Sequence, residues 1–194
     1  MHHTEVERKF AILEPGQMRT CLARLGAVVA GTSRQVDVYY NHPARDFLQR
    51  DVVSEWLRLR LENPEDGLAK SSINFKRWLP IGSAEATHAD EFESQVADRE
   101  AVARLLKELD FQELVTVNKQ RERWRLQSPS GPVEIALDEV EGLGTFVEFE
   151  YEGDGELDVA EQAVEEAVGR VVSQGVALGQ RDRRGYPYLL LGRE

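Results

Sequence analysis

The sequence predicts an α+β protein whose antiparallel sheet closes into a tunnel with a charged interior and helices packed outside. Two observations carry this. Nearly every strand-like segment sets one charged parity against one apolar parity. The charged parities also come as single-sign blocks: acids at Glu5/Glu7, Glu91/Glu93 and Glu148/Glu150, bases at Arg58/Arg60 and Lys119/Arg121/Arg123. Taken one strand at a time, a sheet with a wet polar face and an apolar core face explains the alternation. The blocks do not suit that picture, because an ordinary surface mixes signs. An inverted barrel suits them better, since inward charges then pair with each other or with a ligand that carries both signs.

The elements follow in order. "EVERKFAI" alternates Glu5, Glu7 and Lys9 with Val6, Arg8 and Phe10 and reads as the first strand. "EPGQMRTCLARLGA" reads as a helix, with Pro15 in its first turn, Met18, Leu22 and Leu25 on one face, and Gly26 as its stop. "RQVDVYYN", "SEWLRLRLE", "SSINFKRWL" and "ADEFESQV" read as strands. "DREAVARLLKELDF" is the clearest helix, with Asp98 as cap and an apolar stripe of Ala101, Val102, Leu105, Leu106 and Leu109. "ELVTVNKQRERWRLQ", "VEIALDEV" and "TFVEFEYE", joined by Gly-containing turns, read as a meander. A last long helix covers "DVAEQAVEEAVGRVVSQGV", with Asp158 as cap and Val164, Val168, Val171 and Val172 facing the core. The tail "GQRDRRGYPYLLLGRE" ends in a short apolar run.

A chain of 194 residues, 41% hydrophobic, suits a single domain spanning 1–194, since no biased linker divides it. Its net charge of -11 disfavours nucleic-acid partners, although a local basic pocket inside an acidic shell is compatible with it. Cys21 is the only cysteine, which excludes an internal disulfide and a thiolate metal cluster; its apolar helical setting places it in the core. With no signal-like run and no membrane-length apolar stretch, the expected location is the cytoplasm, without membrane partners. His2 and His3 are expected to fray rather than to act as ligands.

Carboxylate blocks beside arginine and lysine blocks fit a hard divalent cation, Mg²⁺ or Mn²⁺, bound together with a polyphosphate. Carboxylate oxygens take the metal, and guanidinium forks take phosphate oxygens. Glu5-Val6-Glu7-Arg8-Lys9 matches an ExExK signature, followed in order by Asp37 to Tyr40, "WLRLR" from Trp56 to Arg60, "NFK" ending at Lys76, "DEFE", "VNKQRERW", "ALDEVEGLGTFVEFE" and "RRGYPYLL". Over almost its whole length the chain thereby resembles the CYTH superfamily, the triphosphate tunnel metalloenzymes.

That resemblance implies an eight-stranded antiparallel tunnel that binds triphosphates with divalent metal. It casts Glu5, Glu7, Asp138, Glu148 and Glu150 as metal-binding acids. Lys9, Arg58, Arg60, Lys76, Arg121 and Arg123 become the phosphate cradle, with Lys119 in line beside them. A metal near Glu5 and Glu7 would activate water, which puts Glu5, Glu7 and Lys9 at the chemistry. Arg184 stands where the family tail carries lysine, keeping the charge but changing a point charge into a planar fork. Trp56 shares its parity with Arg58 and Arg60, so it either stacks on a ligand ring or packs at the rim.

The implied activity is metal-dependent hydrolysis of a triphosphate: inorganic, nucleoside or thiamine. The alternative is a class IV adenylyl cyclase, and a third reading is a non-catalytic polyphosphate sensor. The apolar outer faces would permit a homodimer.

Overall fold

The structure is a computed structural model that describes residues 2–192, the side chains of residues 2–4 excepted. It comprises β1 (His2–Glu5), β2 (Glu7–Ala11), α1 (Pro15–Arg24), β3 (Val28–Asn41), β4 (Glu55–Pro64), β5 (Lys70–Leu79), β6 (His88–Gln95), α2 (Arg99–Glu108), β7 (Gln112–Ser128), β8 (Gly131–Val140), β9 (Gly144–Tyr151), α3 (Leu157–Ser173) and α4 (Tyr186–Leu190). The α+β class is as expected. The chain divides into two compact units, the first made of Met1–Thr4, Arg34–Lys119 and Arg184–Glu194, the second of Glu5–Ser33 and Gln120–Arg183. Strands β3 and β7 each contribute residues to both.

In unit 1 the strand order is β1-β6-β5-β4-β3-β7. Antiparallel register sets Arg58 opposite Asn74 and Trp56 opposite Lys76, and then Asn74 opposite Glu93 and Lys76 opposite Glu91. This sheet is inverted. Asn74 and Glu91 are 2% and 8% exposed, whereas Phe92 on the other parity is 44% exposed. The apolar side is partly covered by α2, where Leu106 joins Val38, Tyr40 and Leu59. Asp98 caps α2 as expected, accepting from the Ala101 amide at 2.9 Å. The α2 stripe is narrower than its pattern suggests, for Leu105 and Leu109 point outward and only Leu106 is buried.

In unit 2 the order is β3-β7-β8-β9-β2. The apolar parities of these strands (Val6, Val133, Ile135, Leu137, Val147 and Phe149) pack with Met18, Cys21 and Leu22 of α1 and with Ala160, Ala163, Val164, Ala167 and Val171 of α3. Of the expected valine stripe, Val164 and Val171 are buried and Val168 packs against the core, whereas Val172 is exposed; Ala160, Ala163 and Ala167 complete the buried face. Small side chains let α3 approach the sheet closely. Glu156, not Asp158, takes the N-cap position; Asp158 lies in the first turn and accepts from the Val159 amide. Gly26 ends α1 in the left-handed region, where a side chain would be strained.

Three expectations are revised. The first strand is two pieces, β1 pairing with β6 and β2 pairing with β9, so nine strands are present among the described residues instead of eight. The interruption falls at Val6, a buried residue whose carbonyl accepts from the Tyr151 amide at the end of β9. Within neither unit does the strand order return to its start, so neither sheet closes on itself. The backbone of His2 and His3, expected to fray, lies in β1; their side chains are outside the described residues.

Candidate active site

Unit 1 gathers cations over a buried polar face. Its floor is β3, whose inward parity runs Gln35, Asp37, Tyr39, all buried. Arg60 donates to both oxygens of Asp37, Nε to Oδ1 and Nη2 to Oδ2, each at 2.6 Å. Burial alone would raise the Asp37 carboxyl, but Arg60, then Arg58 and Lys119, hold it well below the usual carboxylate range. Arg58 neighbours the Tyr39 phenol and lies 3.6 Å from Glu91. Burial opposes its charge; Asp37, Tyr39 and Glu91 outweigh that and fix the guanidinium as a cation. Asn74 donates to Glu91 at 2.5 Å. The Lys76 ammonium sits 4.5 Å over the Trp78 ring, and that of Lys119 sits 5.0 Å over Tyr186 of α4.

Unit 2 carries the acids. Across β8-β9-β2, register lines up Glu134, Glu150 and Glu7 in one row and Ala136, Glu148 and Lys9 in the next. Neighbours in such a row lie roughly 5 Å apart at the backbone. Asp138 is fully buried and receives Arg121 through two bonds, Nε at 2.7 Å and Nη2 at 2.6 Å. Arg121 also pairs with Glu148. Burial pushes the Glu134 carboxyl up, with Arg121 and Arg123 pulling it down in part. Glu5 and Lys9 are buried, and the Lys9 ammonium lies 5.8 Å from the centroid of the Phe146 ring.

The residues singled out from sequence therefore fall into two sets. Arg58, Arg60, Lys76, Lys119 and Trp56 belong to unit 1; Glu5, Glu7, Lys9, Arg121, Arg123, Asp138, Glu148 and Glu150 belong to unit 2. Arg184 is exposed just ahead of α4. Trp56 is 5% exposed and edge-on to Tyr39 at 5.7 Å, the packing role rather than the stacking one. Asp138 in this structure is the partner of Arg121. Sequence reasoning missed Asp37 and Tyr39 as members of these faces; parity placed Asn74 beside Lys76 and Glu134 beside Asp138 without singling either out as a site residue. Gln35, Asp37 and Tyr39 do share one parity of β3, but such alternation also suits a wet strand face, and only their burial sets them apart.

A divalent cation would find only hard oxygen donors in unit 2, in the row of Glu7, Glu150 and Glu134 and at Glu148. That donor chemistry fits Mg²⁺ or Mn²⁺. Among the described residues no three carboxylates are drawn together as a ready-made cage. Two of the acids, Asp138 and Glu148, are engaged by Arg121.

With this geometry in view, a CYTH domain matches residues 3–183. The chain belongs to the CYTH family. A Methanocaldococcus jannaschii protein named "Putative adenylate cyclase MJ0240" is 32% identical over 146 residues, 75% of each chain. Among solved structures, the PH1819 protein of Pyrococcus horikoshii shares 30% identity with a TM-score of 0.79, covering 98% of this chain and 99% of its own. The PH1012 protein of that organism shares 25% identity with a TM-score of 0.73, covering 95% and 98%. A Vibrio parahaemolyticus protein titled a putative adenylate cyclase, 18% identical with a TM-score of 0.69 over 97% and 98%, shares the fold. The CYTH match brings with it a family of triphosphate-handling enzymes. Among the described residues no helix is long and apolar enough to cross a membrane.

Proposed function

We propose that this CYTH protein is a divalent-metal-dependent phosphohydrolase acting on triphosphate compounds. The carrying observation is the unit 2 face, where Glu7, Glu148 and Glu150 share adjacent rows with Lys9 and stand beside Arg121. Acids and cations interleaved at one-strand spacing suit a ligand that is itself a cation–polyanion pair. Within unit 1, Arg58, Arg60, Lys76 and Lys119 carry N–H donors of the kind that phosphate oxygens accept.

Phosphoryl transfer asks a protein mainly for positioning and charge neutralisation. Lysine and arginine N–H groups would hold the nonbridging oxygens and offset the charge that develops on them. Water attacks the terminal phosphorus, the bridging P–O bond breaks, and orthophosphate and a diphosphate separate. A bound Mg²⁺ or Mn²⁺, held by the Glu7, Glu148 and Glu150 carboxylates, would supply Lewis acidity toward phosphate oxygens. The burial of Trp56 supports recognition of the phosphate chain over stacking on an organic ring.

The second reading is the adenylyl cyclase, favoured by the name of the M. jannaschii relative. In it the ATP 3′-hydroxyl attacks the α-phosphorus and pyrophosphate leaves. One assay separates them: inorganic triphosphate, ATP and thiamine triphosphate, each with Mg²⁺ or Mn²⁺, and products resolved. Orthophosphate release is the expected result; cyclic AMP with pyrophosphate would replace it by the cyclase. Tight triphosphate binding without any product would leave a sensor.

A further inference from the structure

We infer that Asp37 and Tyr39 of β3 are positioning residues that aim Arg60 and Arg58 at the substrate's phosphate oxygens. This rests on the phosphohydrolase reading and deepens it. An arginine side chain loses rotamer entropy on binding, so a fork held in advance binds better than a loose one. Arg58 and Arg60 stand two apart on β4, and the same alternation on β3 supplies one holder for each. Asp37 takes the Nε and Nη2 edge of Arg60 at 2.6 Å on both contacts. A guanidinium has five N–H donors in a fixed plane; Asp37 takes two, and of the three left, two share the outer Nη1–Nη2 edge. Tyr39 neighbours Arg58 on the same face, and its ring is braced edge-on against Trp56 at 5.7 Å and 83°.

Burial gives these holders their leverage. Asp37 is 1% exposed and Tyr39 7%, so neither can swing into water when a polyanion arrives. Nor does Asp37 cancel the attraction for phosphate. Arg60, Arg58 and Lys119 all act on its single carboxylate, so Asp37 alone does not neutralise the three cations.

The test compares Asp37→Asn and Tyr39→Phe with the parent chain, reading KM and kcat for inorganic triphosphate, its Kd by calorimetry, and Tm. Asp37→Asn should raise Kd and KM roughly tenfold, the loss of one charge-assisted bond, and kcat should change less than about twofold. Tyr39→Phe removes a single oxygen and keeps the ring packing; it should raise them about threefold with Tm nearly unchanged. Asp37→Asn combined with Arg60→Lys should cost less than the two effects multiplied, whereas Asp37→Asn with Lys9→Ala should multiply. If both single variants bind triphosphate as the parent does, whatever their Tm, the positioning role is overturned. Should the parent itself bind no triphosphate, the phosphohydrolase reading fails instead, a separate and earlier result.

Discussion

Unit 1 and unit 2 use the same inverted sheet to opposite electrostatic ends. On the polar face of unit 1 four cations, Arg58, Arg60, Lys76 and Lys119, share Asp37, Glu91 and Glu93. Unit 2 sets Glu7, Glu134 and Glu150 in a row, with Glu148 and Asp138 beside them. Each half also buries one aspartate under a two-bonded arginine: Asp37 with Arg60, and Asp138 with Arg121. The lesson is that fork and aspartate are the shared means of keeping an arginine inside a protein. What differs is the charge left over, positive in one unit and negative in the other.

The strongest way to break this comparison is to remove one fork. Arg121→Ala leaves Asp138, 0% exposed, without its counter-charge. It should destabilise the protein by about 3–5 kcal/mol in urea denaturation, the usual result of stranding one member of a buried pair. The double variant Arg121→Met/Asp138→Leu should recover most of that loss and still not restore turnover. A single variant with parental stability would mean that the pair carries no buried charge.

Next comes the charge that unit 2 leaves over. Glu150 lies in register between Glu7 and Glu134. Glu150→Gln should lower metal-dependent turnover by roughly 100-fold, about 2.7 kcal/mol of barrier. Stability should hold or rise, because a like charge leaves the row. Unchanged turnover would remove Glu150 from the metal-binding acids.

A smaller effect has opposite signs in the two units. The folded-state pKa of Asp37 is depressed, so its contribution to stability is present above the ordinary carboxylate pKa and lost as pH falls through the folded value. Burial raises Glu134, so its ionisation works against folding. Its relative benefit is full below the ordinary glutamate pKa and lost as pH rises through the raised value. Glu134→Gln should therefore stabilise the protein at pH 7, with the gain shrinking toward pH 4. Asp37→Asn should destabilise at pH 7 by more than it does at low pH. Paired urea titrations at the two pH values check both signs.

Much of this was legible from parity, because a strand's two faces are set by alternation alone. Arg58, Arg60 and Lys76 were found that way, as were Glu7, Lys9, Glu148 and Glu150. Register was not legible: nothing in "VEIALDEV" says that Glu134 stands opposite Glu150, since that depends on the turn at Glu141–Leu143 and the pairing it sets. The β3 floor was missed because Gln35 and Tyr39 bear no charge and read as ordinary strand residues until they are seen buried. Closure into one tunnel was expected from the single-sign blocks as well as from the family resemblance, and it is a property of no single strand.

The helices give the comparison its smallest test. Helix α3 in unit 2 buries Ala160, Ala163, Val164, Ala167 and Val171, while α2 in unit 1 buries Leu106 alone. A ten-residue helix is marginal by itself, so α2 depends on local terms to a degree that α3 does not. Asp98 satisfies the Ala101 amide, and α3 has no such side-chain cap. Asp98→Ala should cost about 1 kcal/mol, the ordinary worth of an N-cap. The loss should appear as faster amide exchange confined to α2, with the α3 amides unchanged. Equal acceleration in both helices would mean that α2 opens only with the whole molecule, and that the exposed Leu105 and Leu109 conceal a firmer attachment than their exposure suggests.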